Sequence, residues 1–239
     1  MKALGNPEGP HALACELVGS MLADWLELST FDFSLVDVTA DDEIPFLKGG
    51  RACPGPAFIA RAELAGFNWG GTAKELKSIT NRHEISGLVV VDTWLLNCDR
   101  YAPDGRRRNQ DNVFLVQCPG RKGGVQLKAM DFTHAFTCGG ELNRKLGFID
   151  KRRDPRIYGL FPEFSDFLDR EEVRRLSVRL EQFSRQDAEE IISIVPAAWE
   201  VDREGRTALA TLVTERAHFV SESIEQMLWP QMELEGGTE

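Results

Sequence analysis

The chain has few of the features that announce a function directly. No apolar run approaches the ~18 residues that a membrane-crossing helix needs, and the opening stretch Met1–Glu8 has no apolar signal core. The five cysteines, Cys15, Cys53, Cys98, Cys118 and Cys138, are odd in number and make no CxxC pair, so they read as reduced thiols of a cytoplasmic chain. Of the four histidines none stands at metal-binding spacing from another His or a Cys, which argues against zinc. Positive charge is scarce: 28 Lys and Arg face 38 Asp and Glu, a net charge of −10. Phosphate-backbone binding needs a basic surface, so nucleic acid is not the expected partner. There is no internal repeat and no low-complexity tract.

What is present is enough apolar material, 42% of 239 residues, for one large domain or for two lobes sharing a cleft. Leu13, Leu17, Met21, Leu22, Trp25 and Leu28 recur at helical steps and predict a helix over 10–28, with Pro10 suited to its start. Glu16 falls near the apolar face of that helix, as a solvated flank or as the partner of a buried cation. Strands are expected at Phe31–Val38 and Phe58–Leu64, separated by the acidic turn Asp41–Glu43 and a Gly- and Pro-rich loop from Gly49 to Pro56. Gly66–Gly71 reads as a linker, and 66–75 as the boundary between two lobes. Leu88–Leu96 is ambiguous: Val89-Val90-Val91 favours a strand, while Leu88, Val91, Leu95 and Leu96 also fit a helix face. Gly139–Gly159 reads mostly as loop. Helices follow at 163–182, at 186–195 with Ser184 as N-cap, and at Arg206–Leu228, before a frayed end at 233–239.

The most informative stretch is a hairpin with a polar oxygen ligand at each open end. Val113–Gln117 and Val125–Met130 are its strands, and Cys118–Gly124 is its turn. Asn112 precedes the first strand and Asp131 follows the second. In an antiparallel pair those positions meet roughly 5 Å apart, and an amide oxygen beside a carboxylate suits Mg²⁺. Asp99 lies a loop upstream, after the apolar run. Asp and Asn beside Gly are commonly mere turn-formers. The order Asp–Asn–strand–turn–strand–Asp is the layout of a phosphotransfer site: a hydroxyl positioner, then two metal ligands. Asn109 is a rival to Asn112 for the metal position. The basic clusters Arg106–Arg108 and Lys151–Arg153 read as solvated loops, with contact to substrate or phosphate as the alternative.

These residues carry a resemblance. Lys2-Ala3-Leu4-Gly5-Asn6-Pro7-Glu8-Gly9, the Glu16 helix, Asp92–Arg100, Asp111–Leu115, Met130–Phe136 and the tail around Ile194–Trp199 are together similar to the HipA-like kinases, a bacterial branch of the protein-kinase-like and phosphoinositide-kinase-like fold. The resemblance spans nearly the whole chain and is most specific over 92–136. It implies an α+β, two-lobed kinase-like fold, with a truncated N-terminal lobe over 1–70 and a mainly helical C-terminal lobe over 71–239. It implies that Asp99 orients the acceptor hydroxyl, that Asn112 and Asp131 hold Mg²⁺, that Lys2 grips the phosphates of ATP, and that Glu16 is the helix partner of Lys2. The implied activity is ATP-dependent phosphorylation of protein serine or threonine. Some members are growth-restraining toxins, which implies an antitoxin-type partner. The family has two strands and a phosphate-covering loop ahead of the lysine. Lys2 stands at the start of this chain, so the expectation is a loosely held lysine. A small-molecule kinase and a catalytically impaired nucleotide-binding module are the alternatives.

Overall fold

In the computed structural model, which describes residues 1–47, 49–118 and 123–230, the chain is a mixed α+β protein with two small sheets followed by a helical C-terminal region. Helix α1 spans Pro10–Trp25, with the proline at its first turn, where no N–H is missed. It is buried nearly all round, so its polar Glu16 is enclosed with it. The expected run to residue 28 is cut short by Glu27, whose φ of 66° lets Leu28 N–H turn back to Ala23 O.

Strands β1 (Phe33–Val38) and β2 (Gly55–Ala60) form an antiparallel pair in which Phe33 faces Ala60 and Val38 faces Gly55. The second strand therefore begins and ends earlier than Phe58–Leu64. The proposed linker 66–71 contains a strand, β3 (Gly66–Asn68), which joins β4 (Phe114–Gln117) and β5 (Val125–Lys128) in the order β3-β4-β5. The expected hairpin is present, with Phe114 opposite Lys128 and Gln117 opposite Val125. Its second strand stops at Lys128 rather than Met130, because Ala129 N–H leaves the hairpin for Ser29 O. Residues 119–122 of its turn and the expected frayed end at 233–239 lie outside the described residues.

The short α2 (Ala73–Lys77) carries a Thr72–Glu75 capping box. The ambiguous run resolves as helix α3, His83–Leu95. Ile85 and all residues from Leu88 to Val91 are fully buried, and packing on all sides overrides the β preference of three consecutive valines. Glu84 anchors its first turn by accepting from Ser29 N–H. The 139–159 stretch holds a 3₁₀ turn, Arg144–Gly147, and a one-turn α4, Ile149–Arg152. The helix expected over 163–182 is broken into a 3₁₀ segment, Pro162–Phe167, and α5, Arg170–Glu181, because Asp169 caps the latter by accepting from Glu171 and Glu172 N–H. Helix α6 (Arg185–Ser193) starts at the expected Ser184, in a capping box with Asp187. Helix α7 (Arg203–Leu228) starts three residues before Arg206, capped by Asp202.

A small apolar core gathers Ala3, Val38, Ala52 and Ala57, and the larger one runs through α1, α3, the β4–β5 hairpin and α5–α7. Trp94 at its centre donates from Nε1 to Val213 O and packs against Trp25 and Phe183. Among the described residues no helix is long and apolar enough to cross a membrane. Cys98 and Cys138, expected as thiols, are paired side by side, with Cα atoms 5.6 Å apart, within disulfide reach.

Candidate active site

Lys2 lies beside β2 and lines two cavities. Its backbone forms an antiparallel bridge with Phe58, Lys2 N–H to Phe58 O and Phe58 N–H to Lys2 O, both 2.8 Å. That bridge corrects the expectation of a loosely held lysine: β2 supplies the anchor. Lys2 Nζ then lies 2.8 Å from both Glu16 Oε2 and Asp131 Oδ1. Glu16 Oε2 also accepts from Phe132 N–H at 2.8 Å, so α1 and the segment after the hairpin share one carboxylate oxygen. Gly19 permits their approach, because a side chain there would run into Phe132. Asp131 sits in the left-handed region, φ 59°, a conformation uncommon outside glycine. Thr133 Oγ1 donates to its Oδ1 at 2.9 Å.

The electrostatics follow from burial and pairing. Burial alone lowers the pKa of Lys2, but the Glu16 and Asp131 carboxylates outweigh it and hold the ammonium above the ordinary lysine range. Burial likewise works against ionised Asp131, yet Lys2 and the Thr133 hydroxyl leave its carboxyl below the usual range. For Glu16, the most enclosed of the three, burial wins and its pKa rises despite Lys2. Lys2 Nζ is equidistant from the two carboxylates; burial separates them, disfavouring charge on Glu16 more than on Asp131.

Asp99 is presented by the end of α3. Leu96 ends the helix at φ 54°, and Asn97 turns the chain by donating from Nδ2 to Asp92 Oδ1 and accepting Asp99 N–H at Oδ1. The Asp99 carboxylate then meets four groups: Asn112 Nδ2 at 2.8 Å, Asn109 Nδ2 at 3.2 Å, Arg107 Nη1 at 3.2 Å and His134 Nδ1 at 3.7 Å. His134 in turn contacts Thr133 Oγ1 at 3.2 Å. A chain of polar contacts therefore runs Glu16–Lys2–Asp131–Thr133–His134–Asp99–Asn112.

Beneath it lies a clamp that the sequence reading did not contain. Arg100 is fully buried. Its Nε pairs with Asp92 Oδ2 at 2.7 Å, Nη2 donates to Met130 O at 2.8 Å, and Nη1 donates to Asn112 O. Extending the hairpin register by two residues sets Asn112 across from Met130, one short of Asp131. The open end of the hairpin is thus held by a guanidinium rather than by a ladder bond. The available signal was an Arg directly after the candidate Asp99, with an acid seven residues before that Asp.

Asn112 comes from a 3₁₀ turn, Gln110–Asn112, and is buried, whereas Asn109 lines the open cleft. Asp131 Oδ2 and Asn112 Oδ1 accept no hydrogen bond among the described residues. Two unclaimed hard oxygens fit Mg²⁺, which keeps several waters and takes few protein ligands. Among the described residues there is no cluster of three or more His, Cys, Asp or Glu that could hold a metal without such help.

Two cavities meet at Lys2 and Asp131. One, about 390 Å³, is walled by Phe31, Phe33, Phe58, Phe114, Ala129 and Met130. The other, about 780 Å³, is lined by Asp99, Asn109, Thr133 and His134 on one side and by Ile44–Leu47 on the other. An aromatic pocket that meets a second, wider cleft at a lysine suits a molecule with a flat apolar end and an anionic group. No known family model matches the chain, and a search of curated proteins finds no match.

Proposed function

We propose that the protein is an ATP- and Mg²⁺-dependent phosphotransferase acting on a hydroxyl, with serine or threonine of a protein as the acceptor. The observation that carries this reading is Lys2, paired with Glu16 and Asp131 at the junction of an aromatic pocket and a cleft that contains Asp99. The aromatic pocket accommodates a purine base, and Lys2 meets the phosphates where the two cavities join. Glu16 keeps the lysine extended toward them. The two-lobed kinase-like organisation, 1–70 and 71–239 about this cleft, belongs to the same proposal, as does an antitoxin-type partner.

Phosphoryl transfer asks little covalent chemistry of a protein; positioning and charge do most of the work. Asp99 orients the acceptor hydroxyl and takes its proton. The Asn112 and Asn109 amides and Arg107 fix the carboxylate's direction. Thr133 and Lys2 fix Asp131. Asn112 and Asp131 would hold Mg²⁺, which neutralises charge on the phosphate oxygens. A second reading, nucleotide binding without transfer, draws on the engagement of Asp99 by Arg107 at 3.2 Å, a contact that an acceptor hydroxyl has to share.

The experiment is nucleotide binding with and without Mg²⁺, followed by transfer of radiolabel from γ-labelled ATP to proteins of a cell lysate. Mg²⁺-dependent binding with labelled protein supports the first reading. Binding without label supports the second, and no binding removes both.

A further inference from the structure

We propose that Cys98 and Cys138 form a reversible thiol–disulfide site that sets how firmly the Asp99 and Asp131 loops are held together. The inference rests on the proposed nucleotide cleft for its consequence, but not for its chemistry. Cys98 directly precedes Asp99. Cys138 closes the loop that starts at Asp131, and its N–H donates to His134 O at 3.1 Å. The bond therefore ties the segment that presents Asp99 to the turn that presents His134, across 40 residues of sequence. Leu96, Phe136 and Cys138 all have φ between 54° and 66°. L residues hold that conformation only when their surroundings impose it.

Two features make this a switch rather than a staple. First, the fold has other anchors here. Phe136 N–H donates to Leu95 O at 2.7 Å, and Lys151 Nζ donates to Phe136 O at 3.2 Å, so reduction leaves the loop attached but freer. Second, the pair is chemically poised. Cys138 is exposed and so open to a small oxidant, and Arg107 Nη1 lies 3.8 Å from Cys98 Sγ. With glutathione disulfide as oxidant, the Cys98 thiolate attacks one of its sulfurs and displaces a glutathione thiolate. The Cys138 thiolate then attacks the Cys98 sulfur of the mixed disulfide and displaces the second glutathione. Two protein thiols are oxidised, one small disulfide is reduced to two thiols, and the two protons pass to the departing glutathiones.

The test is made on the full chain, fully reduced and then equilibrated with glutathione disulfide. The expected result is an intact mass lower by two hydrogens, a peptide map joining Cys98 to Cys138, and slower amide exchange over 97–100 and 131–138 in the oxidised form. Binding of Mg²⁺–trinitrophenyl-ATP should weaken about three- to tenfold on reduction, as a loop freed into non-binding conformations demands. Cys98→Ser and Cys138→Ser should each match the reduced form and ignore the oxidant, while Cys53→Ser should respond like the wild type. A linkage through Cys53 or Cys118, or identical exchange in both states, would overturn the proposal. If nucleotide binds in neither state while exchange still changes, the switch stands and the kinase reading fails.

Discussion

Lys2 Nζ lies 2.8 Å from Asp131 Oδ1, although 129 residues separate them, and the same nitrogen is 2.8 Å from Glu16 Oε2. One cation thus joins the first residues of the chain, α1 and the segment after the hairpin. Replacing Lys2 by Met leaves two carboxylates facing each other without a counter-charge. Loss of one partner of a fully buried pair costs ~3–5 kcal/mol. Lys2 retains 28% side-chain exposure, so the expected loss is smaller, about 1–3 kcal/mol in chemical denaturation. Adding Glu16→Gln should recover part of it, because one of the stranded charges is then gone. Nucleotide affinity should fall in both variants. A Lys2→Met protein with wild-type stability and wild-type affinity would remove Lys2 from the site.

The same triad fixes a pH dependence. The pKa of Asp131 is lowered on folding, so its contribution is present above the unfolded value of about 3.9 and is lost as pH falls through the folded value. The pKa of Lys2 is raised, so its contribution is present below the unfolded value of about 10.4 and is lost as pH rises through the folded value. Glu16 is raised and has the opposite sign to Asp131: it subtracts stability as pH rises above about 4.3. Denaturation midpoints across pH should therefore show the stability gap between wild type and Lys2→Met open at neutral pH and closing beyond the ordinary lysine range. A gap independent of pH would mean that the lysine acts by packing alone.

Much of this site was legible because its residues sit at chain punctuation. Asp99, Asn112 and Asp131 flank elements whose ends Gly, Asn and hydrophobic alternation mark, and Glu16 was conspicuous as an acid beside an apolar helix face. What stayed hidden depends on tertiary contact. The helical state of Val89–Val91 follows from burial on all sides, which a short apolar run does not encode. The β3 strand was hidden by Gly66, and its place in the sheet is set by pairing with Leu115 and its neighbours. Arg100 was given no role, because its partners, Asp92 and two carbonyls of the hairpin's open end, come together only in the fold. The Cys98–Cys138 pair brings together residues whose spacing carries no motif, and the anchor for Lys2 is a backbone bridge to β2 that has no side-chain signature.

Asp99→Asn should leave the fold and nucleotide binding within a few-fold of wild type and lower transfer by roughly 10²–10⁴-fold, the usual worth of a general base. The Asn112 and Asn109 side-chain N–H groups, which now donate to the carboxylate, would face an amide that can still accept through its oxygen. Turnover near wild type would exclude the assigned role.

The two asparagines divide differently. Asn112→Ala removes the 2.8 Å contact to Asp99 and an unclaimed oxygen; Asn109→Ala removes the 3.2 Å contact and a residue of the open cleft. If Asn112 is the Mg²⁺ ligand, its loss should weaken Mg²⁺-dependent nucleotide binding, with Asp131→Ala worse because it also removes charge, while Asn109→Ala chiefly slows transfer. Titrating Mg²⁺ at fixed nucleotide separates these outcomes. A steeper Mg²⁺ requirement in Asn109→Ala than in Asn112→Ala would move the metal to the cleft-lining asparagine.

Arg100 offers the sharpest structural test, since no part of it reaches solvent. Its guanidinium is planar and carries five donors. Here it satisfies Asp92 and the carbonyls of Asn112 and Met130 together. Lys keeps the charge but has no such fork, so Arg100→Lys should leave at least one buried carbonyl unsatisfied, at about 1–3 kcal/mol. Arg100→Met strands ionised Asp92 as well, and should cost ~3–5 kcal/mol unless Asp92 takes a proton. Burial already pushes the Asp92 pKa up against Arg100, so the Arg100→Met protein should regain stability as pH is lowered from neutral. Pairing Arg100→Met with Asp92→Asn should abolish that recovery while restoring much of the stability at neutral pH. Weaker nucleotide binding in Arg100→Lys under conditions where it is still fully folded would show that the clamp sets the spacing of Asn112 and Asp131. Equal losses in all three variants, flat with pH, would reduce it to a packing residue.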